Sequence, residues 1–244
     1  MKQTTLSASS LDRYSKTTRR AAFLAEMERV VPWAALCALI APVYPKAGNG
    51  RPPVGLERML RIYFLQNWFN LSDPAVEEAL YDSLSMREFV GIDLGREGAP
   101  DETTVCKFRH LLEQHEMGQR LFEEVGRHLQ TKGMKVSTGT IVDATIINAP
   151  SSTKNQRKAR DFTNQKGFRN KGLTEREREK NSRKSSVRAK VEHAFLIIKR
   201  IFGFAKVSYR GMLKNGNRLF VVATLANPFM ARRHLLRLPQ GRCV

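Results

Sequence analysis

Residues 135–150 read KVSTGTIVDATIINAP, and this run decides the fold class because it interrupts a chain that is otherwise patterned as helix. Its β-branched residues fit a pleated, half-buried surface, and Asn148, Ala149 and Pro150 close it with a turn signal, so it is expected to be a strand. Alternation puts Ile141, Asp143, Thr145 and Ile147 on one face and Val142, Ala144 and Ile146 on the other, which leaves a carboxylate among apolar neighbours. Burying an ionised carboxylate is costly without a cation or hydrogen-bond donors, which makes Asp143 a candidate metal ligand or catalytic acid. An aspartate where the strand meets solvent fits this segment equally well.

Upstream, the pattern is helical from about Leu11 to Gly133. Leu56, Met59, Leu60, Tyr63 and Phe64 recur at steps of three and four and form one apolar face. Ser72-Asp73-Pro74 announces a second helix, with an N-cap followed by proline, and Asp101 a third ahead of Val105, Phe108 and Leu112. Phe122, Val125 and Leu129 mark a fourth. The stretches 46–53 and 91–100 are turns or linkers, and Trp68 and Phe69 are expected in the core rather than as base-stacking groups.

Downstream, residues 151–186 hold few apolar side chains and many charges, and are expected to be a loop or unstructured linker. Val187 to Phe202 is helical again, with Val187, Val191, Ala194, Phe195, Ile198 and Phe202 on one apolar arc. At 100° per residue, with Arg188 at 0°, Lys199 falls near 20° and Glu192 near 40°, so the three share one stripe at the edge of that arc. A carboxylate there can meet a strand carboxylate across a shared cation. An ordinary surface pair at i, i+4 with a nearby lysine fits the same residues. His193 turns away from the stripe. Gly203 stops the helix, Ala205 to Tyr209 is a short extended piece, and Leu219 to Leu236 is the last helix.

Charge separates the halves of this 244-residue chain. Lys and Arg number 42 against 23 acids, for a net charge of +19, and the surplus lies after residue 150. A strongly basic rear points to a polyanion, with phosphate contact concentrated there. Three widely spaced cysteines, Cys37, Cys106 and Cys243, have no CxxC pairing and are expected as reduced thiols. The longest apolar run, Trp33 to Ala41, is too short to cross a bilayer, and no targeting address is visible, so a cytoplasmic protein is expected.

The runs GTIVDATIINAPSSTKN and SSVRAKVEHAFLIIKRIFGFAKVSYRG resemble the first-Asp strand and the Glu-bearing helix of bacterial DDE transposases, specifically those of the insertion-sequence-five family. Arg188, Glu192 and Lys199 match that family's signature of Arg, three residues, Glu, six residues, Lys. Ser185 stands where relatives often have Tyr. RPPVGLERMLRIYFLQNWFNLSDPAVEEALYDSLSMREFVG and PDETTVCKFRHLLE are similar to the family's N-terminal helical region.

The resemblance implies a ribonuclease-H-like catalytic fold in which carboxylates hold two divalent ions, Mg²⁺ or Mn²⁺, for phosphodiester hydrolysis and strand transfer. It implies Asp143 and Glu192 as metal-binding catalytic acids and Arg188 and Lys199 as their helpers at phosphates. Separately from the resemblance, Lys190, Arg200, Lys206, Arg210, Arg232 and Arg233 are candidates for DNA phosphate contact, and solvated surface positions fit each of them at least as well. Double-stranded DNA is the implied partner, both terminal repeats and target, in a nucleoid-associated bacterial protein; the resemblance leaves room for a homo-oligomer. The helix reading the repeats is either Thr103 to Leu112 or Met117 to Leu129.

The resemblance breaks between Asp143 and Glu192. Relatives present their second Asp there on a further strand, whereas this chain offers only Asp161, Glu175, Glu177 and Glu179, all in Lys/Arg-rich sequence without strand patterning. Similarity runs through Lys158 to Asp161 and resumes near Gln165, as if an internal deletion had removed several strands. The expected architecture is thus α+β and mostly helical, with a helical DNA-binding region over 1–133 and an incomplete ribonuclease-H-like α/β domain over 134–244. Its activity is expected to be lost, which leaves a non-catalytic DNA-binding remnant or regulator as the alternative. A general basic nucleic-acid-binding protein is a third reading.

Overall fold

The structure, a computed structural model, describes residues 16–48, 52–134, 172–207 and 209–238, and among these it is mostly helical, with no strand. The run 135–150 with Asp143 lies outside the described residues, as does most of the sequence between it and Leu173. The described residues form nine α-helices, in order α1 (Arg19–Val30), α2 (Trp33–Ile40), α3 (Leu56–Trp68), α4 (Asp73–Asp82), α5 (Leu84–Val90), α6 (Glu102–Gln114), α7 (Met117–Thr131), α8 (Glu175–Leu196) and α9 (Met212–Leu235). A π-helical turn, Ile197–Ile201, joins directly to the end of α8.

Helix α3 is the centre. Met59, Leu60 and every residue from Ile62 to Trp68 are buried, and a helix buried on nearly all sides must be surrounded by others. It meets α2, α4, α5, α6 and α9. Its C-terminal end anchors an edge-to-face aromatic cluster in which Trp68 lies 5.4 Å from Phe23, 5.6 Å from Phe64 and 5.8 Å from Phe89. Trp68 is thus core, and Phe69 packs partly buried beside it.

Helix starts obey the capping signals. Ser72 Oγ accepts from Ala75 N at 3.3 Å, and Asp101 Oδ1 accepts from Thr104 N at 2.9 Å. Arg61 ties α1, α3 and α5 together: it pairs with Glu28 and Glu57, donates to Phe89 O at 2.8 Å, and lies 4.7 Å from the Trp33 ring centre.

Four expectations require correction. The expected linker 151–186 is helical from Glu175 onward, because Thr174 and Glu177 form a capping box and Glu, Lys and Arg propagate a helix without any apolar face. The last helix starts at Met212 rather than Leu219; Asn215 and Gly216 are poor helix formers, but Asn215 Nδ2 donates to Tyr209 O and Gly211 O, both at 2.6 Å, and fixes the first turn. The four described residues of the extended piece expected at Ala205–Tyr209 are loop, with no strand beside them to pair with among the described residues. The apolar arc of the Glu-bearing helix is not a uniformly buried face: Ile198 and Phe202 are buried, whereas Phe195 is 43% exposed.

Helix α9 belongs physically with the front half. It lies along α7 and also meets α1, α3 and α6. Val221, Val222, Leu225, Ala226 and Phe229 enter the same core as α3. At the crossing with α7, Asn217 is buried and its Oδ1 accepts from Gly118 N at 2.8 Å. A Cβ on Gly118 would meet Asn217 Oδ1 at 2.4 Å and Asn217 O at 2.6 Å, and the second atom is backbone that no rotamer change removes. Gly118→Ala is therefore expected to push the two helices apart and to cost about 2–3 kcal/mol, an overpacking magnitude measurable by urea unfolding. An unchanged midpoint would refute the close approach.

Candidate nucleic-acid interface

The chemistry expected of the rear half is carried by α8, the π turn and the basic loop beyond them. Helix α8 opens with acids in its first turn, Glu175 and Glu177, and Thr174 N donates to Glu177 Oε2 at 2.9 Å. Glu179 pairs with Arg183 at 3.5 Å, an i, i+4 contact that supports the exposed helix. Glu192 is exposed four residues before the end of α8, and His193 beside it is also exposed, as expected. Arg188 and Lys190 sit on the same helix; their side chains, and those of Val187 and Val191, are outside the described residues.

Winding changes past Leu196. In the π turn, Phe202 N donates to Ile197 O at 2.9 Å, an i→i+5 bond. Lys199 is carried by that turn, exposed, with its Nζ 5.7 Å from the Phe195 ring centre. The even 100° step from Arg188 through Glu192 thus ends before Lys199. Insertions of this kind occur frequently at functional sites.

Arg200, Lys206 and Arg210 are all exposed. From His193 to Val244 the chain has ten Lys and Arg and no Asp or Glu, so nothing on this stretch itself neutralises them.

The loop from Phe202 to Gly211 is held from three sides. Gly203 has φ 67°, a left-handed conformation that favours glycine, and a Cβ there would sit a tight 3.1 Å from Asn70 Cβ. Arg218 Nη2 donates to Asn70 Oδ1 at 2.8 Å, and its guanidinium lies 5.2 Å from the Phe204 ring centre and 5.5 Å from that of Tyr209. Arg109 of α6 also lies against Tyr209, 4.9 Å from the ring centre.

Arg109 is itself buried between two carboxylates, 2.7 Å from Asp73 and 3.4 Å from Glu113. Burial pushes the Asp73 carboxyl up, but hydrogen bonds from Arg109 and Gln66 outweigh it and hold the group below the ordinary value. Burial also raises the Tyr209 hydroxyl, against the pull of Arg109 and Arg218. Sequence reading missed this cluster. Its members span positions 66 to 218, and no local spacing signals the contact.

Among the described residues, no group of three or more His, Cys, Asp or Glu side chains is placed to hold a metal ion. Glu192 is the only carboxylate side chain after Glu179. The acids nearest to it in sequence stand on its own helix, and Glu179 is 13 residues away, or about 20 Å along the axis at 1.5 Å per residue. They cannot share an ion with it. One exposed carboxylate supplies too few ligands for a divalent pair, and Asp143, its expected companion at the metal, is outside the described residues.

Comparison with known families agrees with the sequence resemblance at the level of DDE-type transposases. Residues 11–111 match a transposase domain (DUF772), and residues 146–227 match the transposase DDE domain. The chain belongs to the DDE-type transposases of insertion sequences, DNA-transposing enzymes of mobile elements that as a family use divalent metal ions. Glu192, Arg188 and Lys199 fall inside the second match, whereas Asp143 falls between the two. The second match ends within α9, the helix that packs into the front half. No solved structure matches the chain, and no described helix is long and apolar enough to cross a membrane.

Proposed function

We propose that the chain is an insertion-sequence-five transposase that binds the terminal inverted repeats of its element but lacks a complete catalytic carboxylate set. The observation that carries this reading is the position of Glu175, Glu177 and Glu179 on the same continuous helix as Glu192, too far along it to join one metal site. With Asp161 the only other acid between Asp143 and Glu192, the second Asp of the family has no counterpart. Asp143 and Glu192 are the acids that would have held Mg²⁺ or Mn²⁺ in a ribonuclease-H-like fold, with Arg188 and Lys199 at the phosphates.

Retained DNA binding is supported by the stretch after Glu192, which has ten Lys and Arg and no acid of its own. Lys190, Arg200, Lys206 and Arg210 are assigned to phosphates, which position the duplex without reading sequence. Sequence preference then falls to the helical front half.

Two measurements test the proposal. Incubation with Mg²⁺ or Mn²⁺ and duplexes carrying the element's repeats is expected to give no joined product, and robust strand transfer would overturn the catalytic part. Binding is expected to weaken by about 10³-fold or more between 50 and 200 mM salt if six or more phosphates are engaged, with terminal repeats preferred over random duplex. Salt-independent binding would overturn the rest.

A further inference from the structure

We infer that Arg109 and Tyr209 are positioning residues that fix the basic loop Phe202–Gly211 on the helical front half and so present Lys206 and Arg210 to DNA phosphates. The phosphate part rests on the DNA-binding reading above; the clamp itself does not.

A loop of ten residues bearing exposed cations is by default mobile, and mobile cations lose side-chain and backbone entropy when they bind. This loop has few ladder hydrogen bonds of its own: Phe204 N donates to Ile198 O at 3.0 Å and Ala205 N to Gly203 O at 2.8 Å. What ties its far end down is the Tyr209 ring, against which the guanidinium groups of Arg109 and Arg218 both pack, 4.9 and 5.5 Å from its centre. Arg109 cannot turn to track a moving loop. It is 8% exposed and held by Asp73 at 2.7 Å and Glu113 at 3.4 Å on two different helices, α4 and α6.

Charge makes the arrangement selective in what it presents. The carboxylates under Tyr209 are spent on Arg109, so they neutralise none of the loop's own cations. Lys206 and Arg210, which precede and follow Tyr209 in the chain, stand exposed, and Asn215 pins the Tyr209 backbone through its side-chain amide, with Tyr209 N donating to Asn215 Oδ1 at 3.3 Å. A rigid pair of cations meets a duplex backbone at lower entropic cost than a floppy pair.

The test compares Tyr209→Ala with Tyr209→Phe in the full chain; both leave Arg109, Asp73 and Glu113 in place, and the phenylalanine keeps the aromatic face. Hydrogen exchange is read at the amides of Phe204 to Val207 and Tyr209 to Gly211, and the salt slope of binding on a random 30-base-pair duplex. Tyr209→Ala is expected to speed exchange about tenfold or more while the core helices keep their protection, and to lower the slope by about 2, the loss of two phosphate contacts. Tyr209→Phe is expected to stay within about twofold of the parent in exchange and to keep its slope. Unchanged exchange in Tyr209→Ala overturns the clamp, and faster exchange with an unchanged slope overturns the presentation of Lys206 and Arg210. A parent protein without salt-dependent binding sinks the DNA reading instead, and exchange alone then decides the clamp.

Discussion

A fragment of residues 1–133 is expected to show no cooperative unfolding transition in urea, because the core of the front half is completed from the far end of the chain. Helix α9 contributes Val221, Val222, Leu225 and Phe229, each buried, to the core that α3 centres. At about 1.5–3 kcal/mol for each large apolar side chain taken out of water, these four supply roughly 6–12 kcal/mol as an upper estimate, comparable with the whole stability of an ordinary domain. Phe23 loses its contact with Phe229 at 5.8 Å, Glu26 its ion pair with Arg232 at 3.2 Å, and Gly118 N its acceptor on Asn217. Adding a peptide that spans residues 196–238 in trans is expected to restore helical content and the transition. A sigmoidal transition in the fragment alone would show that residues 19–131 are a self-sufficient unit.

That dependence was hidden from sequence for a physical reason. Periodicity reports which face of a helix is apolar but not which partner covers it, so Leu219 to Leu236 was legible as a helix without any sign that it closes the front half. Local signals served well where they are local. Ser72 and Asp101 cap α4 and α6 as their sequence context demands, and Gly203 takes the left-handed conformation just past the π turn.

Failure came where stability is not apolar. Residues 175–186 carry no hydrophobic stripe, and their helix rests on a capping box and on charged residues with high propensity. Spacing predicts one stripe for Arg188, Glu192 and Lys199, but the π turn that carries Lys199 interrupts the even winding and leaves no mark in composition. The Arg109 to Tyr209 stack joins residues 100 positions apart, and only tertiary structure brings them together.

Arg109→Ala is expected to lower the unfolding free energy by about 3–5 kcal/mol at pH 7, the cost of leaving buried charges without their partner. Asp73 and Glu113 both face the guanidinium, and the Asp73 side chain is only 19% exposed. The size of the loss should depend on pH, and the sign comes from Asp73. In the parent its carboxyl is held below the ordinary value near 3.8, so the stability it contributes is full above that value and is lost as pH falls through the lower, folded one. Without Arg109 the upward push of burial has less to oppose it, so the folded value rises, and protonation relieves the fold instead of weakening it. The gap between parent and variant is therefore expected to be widest near neutrality and to narrow below about pH 4. Urea titrations at pH 7 and pH 3, with Arg109→Lys as the variant that keeps the charge but loses the planar fork, measure it directly. A gap of the same size at both pH values would mean that Arg109 stabilises the fold through its packing against Tyr209 and the α6 surface and not through the charge it neutralises.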